Sequence, residues 1–434
     1  MLNILIRVLW IVATIMIFFC GIYFSFKLRF IHINFKEMFR SICEKSDKKE
    51  TISSFKSLTI ALAGRIGVGS LAGIALSVFL GGPGVLFWMW LVSVLCATNT
   101  FAESVLAVVF RKKDTGNIYR GGPFYYIKEG LGNKNLALIY AFVILLSYIS
   151  GSVSIQINAM GRCVSEVFNI SPIVFAVFIS VLTGITIFGG VKKIADVTSL
   201  LVPIMTFFYL LICLYIIMAN ISMLPQILIN IVNMACNFKA FGMGIVSTLL
   251  IGMQKGIFSS EVGLGTGSIA AVTADTKNPC ENGLVQIFGI HIENLLIATI
   301  TVIVICMTSY SSLNINDANG IELLVWAFNY HIGNLGSVLI AITVTLFGLA
   351  TIIAGYYYGE SSLKFIKKTN KIDIVSFKII TLIAIVVGSS ISSVFLWISI
   401  DIMTGVIAII NIYALFRLRK IVIEEYEYYR RNHL

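Results

Sequence analysis

The segment that decides the fold is Ala63–Gly73, AGRIGVGSLAG, which places four glycines and an arginine in the middle of a long apolar stretch. A helix in lipid keeps its backbone hydrogen bonds internal, so glycines and a charge at mid-span indicate backbone that lines a protected cavity. A second segment of this kind is Gly256–Gly267, GIFSSEVGLGTG, which carries Glu261. The two segments predict two broken helices, whose free N–H groups suit a carboxylate and whose free carbonyls suit a cation such as Na⁺. The alternative is that the glycines only allow close helix packing.

The composition around these segments is that of a membrane protein. Of the 434 residues, 58% are hydrophobic and 12% are charged, and the mean hydropathy is +0.93. Soluble domains are about 45–50% apolar and about 25% charged, so a soluble fold is excluded. Because a spanning helix needs about 20 apolar residues, we predict an all-α protein with eleven transmembrane helices: Ile4–Phe26 and residues 57–80, 84–110, 136–160, 171–190, 196–219, 241–272, 283–308, 336–358, 375–392 and 394–416.

The basic residues predict how the helices are oriented. With the N-terminus outside, 27 of the 32 Lys and Arg fall on inner connections, three (Arg7, Arg162 and Lys239) fall outside, and Arg65 and Lys255 lie within spans. This asymmetry predicts a multi-pass protein of a bacterial plasma membrane with its N-terminus outside and its C-terminus in the cytoplasm. It also accounts for the net charge of +11 without a nucleic-acid partner.

The two broken segments lie five spans apart, which predicts a five-plus-five inverted repeat. The first repeat covers 57–219 and the second 239–416, with an extra helix and a basic loop at 1–56 and a solvated cytoplasmic tail at 417–434. Such a fold binds its substrate between the broken helices near the bilayer centre and works by alternating access.

Six strings, in register from about residue 20 to 415, resemble one known family, the alanine or glycine:cation (sodium:alanine) symporters. They are IYFSFKLRF at 22–30, the first broken segment, GGPGVLFWMW at 81–90, GGPFYYI at 121–127, GIFSSEVGLG at 256–265 and YYYGE at 356–360. The resemblance implies Na⁺-coupled or H⁺-coupled import of a small neutral amino acid on a leucine-transporter-type fold. The expected partners are that amino acid and the surrounding membrane lipid.

The resemblance also implies a substrate site at the first break. The N–H groups around Val68, Gly69 and Ser70 would hold the substrate carboxylate. Gln156 and Asn158 match a Gln-x-Asn pair of the family and would bind the substrate's polar groups, although polar side chains in a span also bridge helices.

On the second break, the resemblance implies that Phe258 closes the pocket and that Ser259 offers backbone or hydroxyl contacts. Glu261, which is acidic at membrane depth, would pair with the substrate ammonium or hold the unwound segment together.

The cation site implied by the resemblance combines carbonyls near Ala63 and Ile66 with the hydroxyl of Thr351. The ion would be Na⁺, with H⁺ as the alternative.

The sequence departs from the family pattern at Val68, Ser70, Ser260, Ala350 and Gly355. The family commonly has Trp at the last position, so Gly355 suggests a larger pocket and a substrate such as glutamine. Ala350 removes one oxygen from the expected cation site. The replacements also leave open a transport-inactive amino-acid sensor on the same fold.

Other function classes find little support. Within the sequence there is no ring-forming filter motif typical of a channel, and no His-Glu-x-x-His motif or paired acid typical of an intramembrane enzyme. We therefore predict that the protein is not an enzyme. Glu103, near the inner end of the third span, is expected to pair with a basic loop residue, Arg111 or Arg120.

Overall fold

The computed structural model describes residues 2–43, 52–114, 118–236, 243–276, 278–308 and 320–433. Over these ranges the chain is almost entirely helical, with one short hairpin in which β1 (Lys112–Lys113) pairs antiparallel with β2 (Tyr119–Arg120). The helices are α1 (Leu2–Lys27), α2 (Phe35–Cys43), α3 (Ser54–Arg65), α4 (Val68–Gly81), α5 (Val85–Val109), α6 (Pro123–Gly130), α7 (Lys134–Ser147), α8 (Gln156–Phe168), α9 (Pro172–Ile187), α10 (Gly190–Ala219), α11 (Leu224–Ala235), α12 (Met243–Ser260), α13 (Thr266–Ala271), α14 (Pro279–Ile290), α15 (Ala298–Cys306), α16 (Gly320–Ile332), α17 (Asn334–Ile366), α18 (Lys371–Gly388), α19 (Ser393–Arg417) and α20 (Arg419–His433).

Helices occupy all of the predicted spans, but they differ in length and hydropathy. Among the described residues, seven helices are long and apolar enough to cross a membrane, and the bent pair α3–α4 makes an eighth. The predicted fifth span is the 16-residue helix α9. The beginning of the seventh span, the repeat boundary at 239 and the basic residues Lys239 and Lys277 lie outside the described residues.

The first predicted break is a bend of 47° between α3 and α4. Helix α3 ends at Arg65, and Gly67 is extended before α4 begins at Val68. Gly67 is required here because a Cβ atom on it would lie 2.7 Å from Thr351 Oγ1 and 3.0 Å from Gln156 Nε2. The close approach of these side chains to bare backbone therefore explains the glycine.

The second break separates α12 from α13. Helix α12 ends at Ser260, and the next residue, Glu261, has a φ of 57°, in the left-handed region that a non-glycine residue adopts only at a cost of roughly 1–2 kcal/mol. Gly263 and Gly265 follow with φ of 77° and 83°. These conformations stop the helix, and α13 restarts it at Thr266.

Two π-helical segments, which the sequence analysis did not predict, interrupt long helices. Tyr148–Ile155 lies between α7 and α8, and His291–Ile297 lies between α14 and α15. Such bulges leave the usual hydrogen-bond register and occur frequently at functional sites.

The predicted solvated tail is instead the helix α20. Its residues Val422, Tyr426 and Tyr429 recur at helical spacing and are buried, and α20 packs against α5 and α14. The Tyr429 hydroxyl also donates a hydrogen bond to Glu37 on α2, at 3.4 Å. The apolar stripe is difficult to recognise in the sequence, because charged residues occupy the other faces of the helix.

Candidate functional site

A small cavity lies where the two breaks meet the first π-helical segment. Its volume is about 70 Å³. Its lining combines hydroxyl, amide and carboxyl groups with aliphatic and aromatic side chains: Gly64, Ser70, Ile144, Ser147, Tyr148, Gly151, Ser152, Ile155, Gln156, Phe258, Glu261, Leu264, Thr266, Thr351, Tyr358, Ile400, Thr404 and Ile407.

Five of the predicted site residues line this cavity: Ser70, Gln156, Phe258, Glu261 and Thr351. The sequence analysis missed the hydroxyls of Ser147, Ser152, Thr266, Thr404 and Tyr358. The small polar residues that recur through the fourth span were a signal that could have found the first two.

At the first break, side chains already contact the exposed backbone. The N–H of Gly69 donates to Gln156 Oε1 at 3.1 Å, and the hydroxyl of Ser70 donates to the Arg65 carbonyl at 2.6 Å. Val68 is fully buried beside them. A carboxylate that binds here would therefore take the Gly69 donor over from Gln156.

Two of the three residues predicted to hold a cation, Ala63 and Thr351, contact each other. The Thr351 hydroxyl is 2.8 Å from the Ala63 carbonyl and 2.9 Å from that of Phe347. Ile66 lies at the bend, where its N–H donates to the Leu62 carbonyl at 2.7 Å. Uncharged carbonyl and hydroxyl oxygens are the ligands typical of Na⁺ at an unwound helix, so this donor set fits that ion.

Phe258, which lines the cavity, packs against an aromatic residue of α19. The rings of Phe258 and Trp397 lie 5.9 Å apart. The Lys255 ammonium lies 4.5 Å from the Trp397 ring centroid and 5.5 Å from that of Phe258. These contacts join α12 to α19.

Besides Ala63, Ile66, Val68 and Gly69 at the first break, three predicted site residues lie outside the cavity lining. The Asn158 amide donates to the Ile391 carbonyl at 2.8 Å, and the Ser259 hydroxyl donates to Asn294 Oδ1 at 3.0 Å. Gly355 packs against the first π-helical segment, where an added Cβ atom would be 2.6 Å from Ser152 Cβ and 3.1 Å from the ring of Tyr148. Neighbouring side chains therefore occupy the space beside Gly355.

Arg65 links the two breaks. Its guanidinium is buried and donates to the Gln286 carbonyl at 3.2 Å. It fits between Gly267 and Gly289, where a Cβ atom on either glycine would collide with it.

The predicted pairing of Glu103 with a loop arginine was wrong. Glu103 is fully buried and accepts a hydrogen bond from Asn411 Nδ2 at 2.7 Å, and it lies within electrostatic reach of Arg65 and Glu261. Arg111 instead donates to the backbone carbonyls of Ala274 and Thr276.

Arg120 belongs to an ion network near the end of α17. It contacts Glu360 at 2.7 Å and Asp114 at 3.3 Å, and Lys364 bridges the same two carboxylates. Burial alone lowers the pKa of Arg120, but Tyr357, Glu360 and Asp114 outweigh burial and raise it. Arg120 is therefore charged, and the network ties the β1–β2 hairpin to α17.

An apolar helical bundle whose two broken helices meet at a small, partly polar cavity has the architecture of a membrane transporter. The chain belongs to the sodium:alanine symporter family, whose sequence pattern matches residues 1–434. Because this is a family of transporters, the protein is not an enzyme.

Relatives from bacteria and an archaeon support the assignment. The chain is 34% identical to the amino-acid carrier protein AlsT of Bacillus subtilis over 414 residues, which covers 95% of this chain and 88% of that protein. It is 35% identical to the probable sodium/glutamine symporter GlnT of the same organism over 416 residues, covering 95% and 86%. It is 30% identical to the sodium/alanine symporter AgcS of Methanococcus maripaludis over 415 residues, covering 93% and 91%.

Solved structures show the same fold at low sequence identity. A Na⁺-coupled sialic acid symporter in a substrate-bound, outward-open state superposes with a TM-score of 0.59 at 14% identity, covering 95% of this chain and 87% of that one. A manganese transporter of Eremococcus coleocola gives a TM-score of 0.58 at 12% identity, covering 87% and 79%.

Proposed function

We propose that the protein is a secondary active symporter that imports a small neutral amino acid together with Na⁺ by alternating access. The observation that carries the proposal is the meeting of both breaks at one cavity, lined by Ser70 and Gln156 on one side and Glu261 on the other. Family membership and relatives named as amino-acid carriers support it.

The proposed architecture has eleven spans in a leucine-transporter-type inverted repeat, with the N-terminus outside and the C-terminus in the cytoplasm. Helices α9, α18 and the broken pair α12–α13 would supply the three spans beyond the eight that length and hydropathy identify. The distribution of Lys and Arg supports the orientation.

The proposed substrate site uses the backbone N–H groups of Val68, Gly69 and Ser70 for the carboxylate. Gln156 would release Gly69 and turn to the substrate, with Glu261 toward the ammonium. Ser259 and Asn158 would act from outside the cavity, through Asn294 and Ile391 respectively.

The packing beside Gly355 favours glycine or alanine as the substrate. Because Tyr148 and Ser152 occupy the space beside Gly355, glutamine would require these side chains to move. The relative named as a probable sodium/glutamine symporter keeps glutamine as the second candidate.

The proposed cation is Na⁺, held by the carbonyls of Ala63 and Ile66 and by the Thr351 hydroxyl. The contact of 2.8 Å between Thr351 and Ala63 places two of these oxygens together. H⁺ is the alternative coupling ion.

Uptake into proteoliposomes tests the proposal. With an inward Na⁺ gradient, we expect radiolabelled alanine to accumulate above its equilibrium level, and glycine to compete more strongly than glutamine. Vesicles with equal Na⁺ on both sides serve as the control and should only equilibrate. Binding of alanine without translocation or counterflow would support the sensor alternative and refute the symporter.

A further inference from the structure

The buried acidic residue Glu293 has no role in the proposed function. It lies in the second π-helical segment, His291–Ile297, and its side chain is fully buried. Among the described residues, neither of its carboxylate oxygens has a hydrogen-bond partner. A buried carboxylate that is ionised and unpaired is strongly unfavourable, so this group requires either a compensating positive charge or a proton.

Arg65 is the basic group that interacts electrostatically with Glu293. Two other carboxylates share this interaction. Glu103, Glu261 and Glu293 each interact with its guanidinium. Within the described ranges, Arg65 Nε and Nη2 have no hydrogen-bond partner, although the side chain is buried.

The other two carboxylates have partial compensation that Glu293 lacks. Glu103 accepts a hydrogen bond from Asn411 at 2.7 Å, and Glu261 borders the cavity between the two breaks. The remaining titratable groups near the three acids supply no positive charge: Cys20, Tyr126, Tyr140, Tyr209 and Tyr358.

The three acids carry more negative charge than Arg65 can compensate. Three ionised carboxylates and one guanidinium would leave two uncompensated negative charges in a region of low dielectric. A proton needs only one carboxylate and removes one of these charges. Glu293 has the weakest compensation of the three, so it is the first candidate to bind that proton.

We propose that Glu293 is a proton-binding site whose occupancy is linked to substrate binding, an inference that rests on the proposed transport function. The link runs through Asn294, the next residue of the π-helical segment. Asn294 accepts a hydrogen bond from Ser259 at 3.0 Å and donates to the Gly256 carbonyl at 3.2 Å, so it holds the end of α12 at the second break. In the bound state one carboxylate oxygen carries a proton taken from water; on release the proton returns to water, and no other bond changes.

The test uses full-length protein in proteoliposomes that contain a pH-sensitive dye. In the wild type, adding alanine under an inward Na⁺ gradient should carry protons into the vesicles. Because the bound state holds the proton, uptake should fall about tenfold for each unit of rising pH once Glu293 loses its proton. Glu293→Gln copies the protonated state; it should abolish the flux and reduce the pH dependence to less than about twofold. The matched control, Glu129→Gln, removes an exposed carboxylate of α6 and should behave as the wild type.

Two outcomes overturn the proposal: a wild type with neither proton flux nor pH dependence, or a Glu293→Gln variant that keeps both. If that variant does not fold, infrared difference spectra of the wild type and of Glu293→Asp at acidic and alkaline pH provide the second measurement. A protonated-carboxyl band that is absent at both pH values, or that Glu293→Asp leaves unshifted, refutes the proposal. If sodium-driven alanine uptake fails in the wild type while that band titrates, the transport function is wrong and the proton site stands.

Discussion

The substitution Gly67→Ala tests whether the cation site and the substrate site share one point of backbone. An added Cβ would lie 2.7 Å from Thr351 Oγ1 and 3.0 Å from Gln156 Nε2, whereas ordinary contacts lie at 3.4–4 Å. One or both side chains must therefore move by several tenths of an ångström. Overpacking of this kind costs about 1–3 kcal/mol. If that cost falls on the ligand-competent state, affinity for Na⁺ and alanine decreases by roughly 5–150-fold.

The assay is uptake of radiolabelled alanine into proteoliposomes as a function of Na⁺ and of alanine concentration. Gly67→Ala should raise the concentrations required for both. Gly184→Ala is the matched control, because its Cβ would meet Leu382 at an ordinary 3.6 Å, and it should leave both unchanged.

A double variant separates the steric effect from a general fault of folding. Thr351→Ala removes the atom that lies nearest the added methyl group, so Gly67→Ala should cost less thermal stability in that background than in the wild type. If Gly67→Ala alone transports with wild-type affinities, the close approach of Thr351 and Gln156 to residue 67 is wrong. Equal stability losses in both backgrounds would assign the effect to the backbone rather than to Thr351.

Three further predictions concern the cation site, the ion network and acid stability. Thr351→Val should weaken Na⁺ activation of uptake by roughly tenfold, because one oxygen ligand is lost; Thr343→Val, on the same helix, should leave it unchanged, and equal effects would reject the assignment. Arg120→Gln leaves Glu360 with Lys364 as its remaining partner and should cost about 1.5–3 kcal/mol of stability, as measured by thermal unfolding in detergent; a loss within error of zero would show that the network does not hold the hairpin to α17. Burial, and then the charge of nearby His291, lowers the pKa of His32 from its usual 6.5 to about 4, so the stability that neutral His32 contributes is complete above pH 6.5 and is lost as the pH falls toward 4. His32→Gln should therefore flatten the pH dependence of the melting temperature in that window, and an unchanged slope would contradict this.

The sequence predicted both breaks because a glycine cluster with a charge inside an apolar stretch has few structural explanations. Gly265 has a local cause, a positive φ, whereas Gly67 is approached by side chains from distant parts of the chain, which the sequence does not identify. The composition and the hydropathy pattern located the helices, since each residue's preference for lipid does not depend on its partners.

Contacts between distant residues could not be predicted in this way. Glu103 accepts its hydrogen bond from Asn411, which lies 308 positions further along the chain, and nothing near Glu103 in the sequence indicates that partner. The sequence shows that Gly355 lacks the large side chain common in the family. The side chains that fill this space belong to a π-helical segment. Hydropathy does not encode the change of hydrogen-bond register that places Tyr148 and Ser152 there.

Arg65 explains how the two halves of the site could act as one unit. Its carbonyl accepts a hydrogen bond from Ser70 at the first break, while its guanidinium lies against Gly267 just beyond the second. If the carboxylate of a bound substrate moves the Ser70 hydroxyl toward the cavity, the position of Arg65 changes with it. The charge of Arg65 compensates Glu261 and Glu293. Because coupling between sites is reciprocal, the charge state of these carboxylates must then affect substrate affinity. An Arg65→Lys variant that binds alanine with unchanged pH dependence would exclude this path, since lysine keeps the charge but cannot span the same contacts.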